Sequence, residues 1–252
     1  DALILSGTWN ALGIDSGSFT VRRTVPDMDF VVECNNRLWG CKYGMVGGEA
    51  VNEIYASALG DFRNWNTYAG LSTDSYAVAV GSEGDFTACI GYGSGVLFFK
   101  EDKLYKLVGS TPASYYLYDY DISGVKAGSH GSLVVLDERL YYQGTDGIYV
   151  YAGGVPSCIS DAFGLRRFSE GVAGTDGTRY YISMRDDKTG AYGLWCFDTG
   201  TRLWLQEDHD RRAIGFDRKS EELAILWEDG AVTVEDEDSA EEVEWSATFC
   251  EM

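Results

Sequence analysis

The chain has 252 residues, 45% of them apolar, and carries 40 acidic against 20 basic side chains, a net charge of -20. A surface this negative repels a phosphate backbone or an anionic bilayer, so neither nucleic acid nor membrane is expected as a direct partner. No run of about 18 apolar residues is present to span a membrane.

Helical periodicity is scarce, whereas short runs rich in Val, Ile, Tyr, Phe and Trp recur between clusters of Gly, Asn and Asp, the pattern of strands and turns. In chain order, the first hairpin predicted is 29–34 returning through 37–41 around Asn35-Asn36, because asparagine tolerates the positive φ of a two-residue turn. That turn pairs Cys34 with Arg37 and Phe30 with Cys41, which sets the two sulfurs about 13 Å apart and precludes a disulfide between them. Residues 43–74 interrupt the pattern with the polar, irregular stretch 60–66 and are expected to form a surface loop. Since loops on a rigid sheet carry much of recognition, Asn64, Trp65, Asn66 and Tyr68 are the candidate binding residues.

A second hairpin is predicted over 95–100 and 103–107. Three further units each read as three strands: 132–136, 139–143 and 148–151; then 180–184, 193–198 and 203–206; then 213–216, 223–227 and 231–235. A sixth could join 3–9 to 243–249. The leading turns recur at roughly 45 residues, the length of a propeller blade. The expected fold is therefore all-β, a β-propeller of about five or six irregular three- to four-stranded blades, with a β-sandwich or irregular double sheet as the alternative. Residues 1–252 read as one such domain, and the missing initiator Met suggests a piece of a longer product.

Chemistry-bearing motifs are few. The two histidines, His130 and His209, lie in Gly-Ser-His-Gly and Asp-His-Asp contexts with no metal-ligand spacing, and the run 207–212 reads as a polar loop between strands. No nucleophile elbow or phosphate-cradling loop occurs. Asp119 and Asp121 alternate beside Tyr118 and Tyr120, a pattern compatible with carbohydrate contact or with a solvent-facing strand. Six scattered cysteines without CxxC suit reduced thiols. No catalytic residue, metal or cofactor is expected.

Several phrases resemble structural proteins of tailed bacteriophages and prophages: Asn35 to Cys41, Asn52 to Asp61 with Asn64-Trp65-Asn66, Leu97 to Asp102, Leu140-Tyr141-Tyr142 with Asp146-Gly147-Ile148, and Phe197-Asp198-Thr199 with Trp204. The resemblance implies a propeller-like tail or neck component, assembled in bacterial cytoplasm and located in the virion. Its expected partners are other virion proteins or further copies of itself. A host-surface glycan is the alternative partner, if the module sits at a tail tip, and a glycan-degrading enzyme is the third reading.

Overall fold

The computed structural model describes residues 9–10, 13–14, 25–219 and 222–234. The chain is all-β. A two-stranded ribbon, β1 (Trp9–Asn10) and β2 (Gly13–Ile14), is followed by five separate antiparallel sheets, each a meander whose spatial order is its chain order. The first sheet holds β3 (Phe30–Cys34), β4 (Arg37–Val46), β5 (Glu49–Ala56) and β6 (Tyr76–Ala79); the second holds β7 (Ala88–Tyr92), β8 (Gly95–Phe99), β9 (Lys103–Val108) and β10 (Tyr116–Asp121). The third comprises β11 (Val134–Leu136), β12 (Arg139–Gln143), β13 (Ile148–Tyr151) and β14 (Ser157–Cys158). The fourth comprises β15 (Phe168–Thr175), β16 (Arg179–Asp186), β17 (Tyr192–Asp198) and β18 (Leu203–His209). The fifth has three strands, β19 (Ala213–Lys219), β20 (Glu222–Trp227) and β21 (Val232–Val234).

Side-chain alternation explains how the sheets stack. Along β8, Val96 and Phe98 pack with Trp39, Cys41 and Ile54 of the first sheet, while Leu97 and Phe99 turn to Leu140 and Tyr142 of the third. Tyr141 then meets Tyr180 and Ile182 of the fourth sheet, whose Tyr181, Leu194 and Cys196 meet Leu223, Ile225 and Trp227 of the fifth. An inner sheet covered on both faces needs an unbroken apolar strand, and every residue of Gly95–Phe99 is buried. The first strands of neighbouring sheets lie together, β3 by β7, β11 by β15 and β15 by β19. Among the described residues, no strand pair or apolar cluster joins the fifth sheet to the first.

The predicted turns appear where their chemistry demands. Asn35 and Asn36 sit at φ 55° and 57°, and Phe30 pairs with Cys41 and Cys34 with Arg37. Asp137 and Glu138 make the same kind of turn at φ 48° and 61°. Three expectations need correction. The interruption at 43–74 is shorter than expected, because Gly47 and Gly48 turn the chain at positive φ so that β4 runs to Val46 and β5 returns from Glu49 to Ala56. The first half of the run 207–212 is strand: a bulge opposite Leu194 and Trp195 carries β18 on to His209, which pairs with Gly193, and only 210–212 connect to the next sheet. Ser132 belongs to a 3-10 turn, His130–Ser132, and the strand starts at Val134. The ribbon proposed between 3–9 and 243–249 lies almost wholly outside the described residues. Among those residues, no helix is long and apolar enough to cross a membrane.

Candidate functional site

Between β5 and β6 the chain forms a compact loop whose shape is set by a buried cation. Arg37 is 2% exposed, and its guanidinium donates to the carbonyls of Ser57 (2.7 Å), Ser72 (2.9 Å) and Asp74. A planar fork with five N–H donors suits three carbonyls that converge from one loop. The Asp74 carboxylate accepts the amides of Gly70 (2.7 Å) and Leu71 (3.0 Å), and Ala58 N–H reaches Asn64 O at 2.7 Å. Both ends and the tip of the loop are thereby tied down.

The four candidate residues fall in this loop but point different ways. Trp65 is 3% exposed and its indole N–H donates to Phe62 O at 2.7 Å, so it is the loop's own core. Asn64 turns inward as well: its amide oxygen accepts from Thr67 Oγ1 at 2.9 Å and its carbonyl from Ser75 Oγ at 3.0 Å. Asn66 is exposed. Tyr68, 62% exposed and steadied by a hydrogen bond from its hydroxyl to Trp65 O at 3.2 Å, is the one that lines a cavity.

That cavity is a groove of about 520 Å³ with Tyr68, Leu71 and Tyr76 on one side and Thr111, Pro112 and Ala113 on the other. Its second wall is a 3-10 turn, Pro112–Ser114, held where Ser114 N–H meets Thr111 O at 2.8 Å. Behind it Trp39, Tyr76 and Tyr115 form an edge-to-face triad with centroids 5.0–6.3 Å apart, and the Arg37 guanidinium lies 5.9 Å from the Tyr115 ring. Burial pushes the phenol pKa values of Tyr76 and Tyr115 upward, so both stay neutral. Sequence reasoning missed Leu71, Pro112 and Ala113, since nothing local says that 111–113 will lie against 68–77.

From the groove wall the chain passes directly into β10, the outer strand of the second sheet. Tyr116, Tyr118 and Tyr120 are all solvent-exposed on one face, with centroids 4.4 and 6.3 Å apart along the strand. Asp119 and Asp121 are on the opposite face and pair with Lys103 at 3.5 and 2.6 Å. The carboxylates therefore serve a lysine and stand apart from the tyrosines. Of the histidines, His130 packs its ring 5.5 Å from Phe30, and His209 ends β18 beside Asp208, whose pKa is raised by burial. What the site offers is contact surface: apolar rings, phenol hydroxyls and a firm backbone. No protein-family model matches the chain, and no curated protein matches it.

Proposed function

We propose that the chain is a non-enzymatic interaction module of a tailed-phage virion, a tail or neck component, with its five sheets as successive blades of a β-propeller. The observation that carries the reading is the groove beside Tyr68 and Leu71, where exposed apolar side chains sit on a loop immobilised by Arg37. A pre-ordered loop loses little conformational freedom on binding, which is what an assembly contact needs. The face-to-face succession of meanders supports the blade arrangement, and the phage-like phrases support the virion setting, with assembly in bacterial cytoplasm. The partners are other virion proteins or a second copy of the chain.

Co-expression with the proteins encoded beside it tests the reading. Leu71→Arg and Tyr68→Glu alter only exposed positions. They are expected to weaken association with a virion partner, or self-association in sedimentation velocity, by about tenfold or more. Undiminished association in both variants, or hydrolysis of a cell-wall polymer by the chain, counts against it. The tyrosine row on β10 favours a second reading, a host-surface glycan as partner, because exposed rings spaced along a strand can each stack on a sugar. Glycan-array binding lost in Tyr118→Ser would favour that reading, and a blank array the first.

A further inference from the structure

At one end of the fourth sheet a cavity of about 220 Å³ opens on the face turned to the third sheet; it shares no residue with the groove or with β10. Strand pairing explains why its side chains meet. Gly193 stands opposite Met184 on one side and His209 on the other, and Trp195 stands opposite Gln206, so these positions share one face. In an unbroken strand residues 206 and 209 would point to opposite faces. The bulge in β18 supplies one extra residue, Glu207, and thereby brings Gln206 and His209 to the same face.

Gly193 leaves the floor open. A Cβ there would lie 3.1 Å from Gln206 Nε2 and 3.3 Å from Trp195 Nε1, so two N–H donors converge on space that a side chain would occupy. The indole N–H groups of Trp39, Trp65, Trp204 and Trp227 each reach an oxygen of the chain, whereas that of Trp195 reaches none among the described residues. Gln206 reaches only Asp208 O, at a long 3.4 Å. Arg166 forms the wall: its guanidinium lies 4.9 and 5.2 Å from the rings of Phe168 and Trp195, and Nε and Nη2 hold the Asp186 carboxylate at 3.0 and 2.9 Å, which leaves Nη1 outside that pair.

These groups select their ligand. Arg166 is neutralised by Asp186 and the exposed Asp210 stands on the rim, so an anion would meet no unpaired arginine or lysine. An apolar ligand would cover the indole and amide N–H groups without answering them. A sugar hydroxyl accepts and donates at once, and so suits donors from Trp195, Gln206 and Arg166 set beside acceptors from Gln206 Oε1 and the Asp210 carboxylate. The volume is below the roughly 300–1,000 Å³ of sites for larger ligands and fits one ring rather than a chain. We infer that this cavity binds a single neutral sugar unit, held through its hydroxyls. The unit is either a free monosaccharide or the end of a glycan. The inference rests on neither the groove nor the tyrosine row.

Saturation-transfer NMR titration of the full chain with glucose, galactose, mannose and N-acetylglucosamine, each free and as its methyl glycoside, tests the proposal. At least one neutral sugar is expected to bind with a Kd of about 10 mM or tighter, with glucuronate at least about fivefold weaker. A methyl glycoside that binds as well as its parent identifies the end of a glycan; binding by the free sugar alone identifies the monosaccharide. Gln206→Leu changes an exposed side chain and is expected to weaken binding about tenfold with an unchanged melting temperature. Trp195→Phe keeps a ring but removes the N–H and should weaken binding about threefold or more, while Tyr118→Ser should leave it unchanged. Lack of saturation by every neutral sugar up to about 100 mM overturns the inference. So do affinities unmoved by both Gln206→Leu and Trp195→Phe, glucuronate binding tighter than the neutral sugars, or loss of binding in Tyr118→Ser.

Discussion

The groove beside Tyr68 and an acidic hollow lined by Glu83, Asp85, Lys100, Glu101 and Asp102 are nearly equal in size, about 520 and 570 Å³, and each has a buried cation in its wall or beneath it, yet the two cations do different work. Arg37 spreads its N–H groups over three backbone carbonyls of one loop and so determines that loop's shape. Lys100 is a point charge held by one carbonyl, one amide oxygen and two rings, and the carbonyl residue, Ser82, is independently held by Asn52 and by the Tyr105 hydroxyl. The guanidinium joins three carbonyls from separate parts of one loop; the ammonium fills a single polar niche between a carbonyl, an amide oxygen and two rings.

The sharpest way to break the comparison is to remove each cation. Arg37→Ala leaves three carbonyls unsatisfied beneath the groove and is expected to cost about 3–5 kcal/mol in chemical denaturation, with new proteolytic cuts between residues 59 and 75. Arg37→Lys should recover less than half of that, because a single ammonium cannot span the three acceptors. Lys100→Met should stay within about 1 kcal/mol of wild type, since an apolar chain of similar length replaces a desolvated charge. Equal losses at both positions would erase the distinction.

Within the loop the same contrast recurs on a smaller scale. Trp65→Phe keeps an aromatic ring but loses the indole N–H to Phe62 O and some buried volume, and is expected to cost about 1–2 kcal/mol or more. Tyr68→Ser, at an exposed position, should change stability by no more than about 0.5 kcal/mol. Sequence reasoning placed both in one binding loop because both lie in a polar, irregular segment that reads as a surface loop. Burial is decided by contacts that no local pattern encodes, here the enclosure of Trp65 by the loop that Arg37 folds. The hairpins were legible for the opposite reason. Turn chemistry and alternation act within a few residues, so Asn35-Asn36 with its register could be read directly, whereas β7 and β15 carry too many Gly, Ser and Ala to announce themselves. The acidic hollow escaped notice because Glu83, Asp85, Glu101 and Asp102 come from two separate loops and are four among 40 acids.

Lys100 also titrates. Burial lowers its pKa below the ordinary lysine value of 10.5, against the opposing pull of the carboxylates of Asp102, Asp85 and Glu83. Between the lowered folded value and 10.5 the unfolded chain holds more of this proton than the folded one, so this group's contribution to stability rises with pH through that window. Wild type should therefore gain on Lys100→Met in denaturation midpoints as pH climbs towards 10.5. Tyrosine and cysteine ionisations are common to both proteins and cancel in the difference. A flat difference would mean that the ammonium is as well solvated between Asn52, Ser82, Tyr43 and Phe86 as in water.

The smallest expected effect compares the two turns that share one backbone geometry. Asn35-Asn36 meets the positive φ demand with residues suited to it, while Asp137-Glu138 holds Glu138 at φ 61°, where a long side chain is unfavourable. The Glu138 carbonyl accepts the Tyr92 hydroxyl at 2.6 Å, a contact that uses backbone only and survives substitution. Glu138→Gly should therefore relieve strain in the folded state by more than it adds entropy to the unfolded one, a net gain of about 0.5–1 kcal/mol. Asn36→Gly, starting from a residue already at ease there, should gain less than half as much. If the two gains are equal, the Asp137-Glu138 turn stores no strain, and its geometry is imposed by the pairing of Leu136 with Arg139 alone.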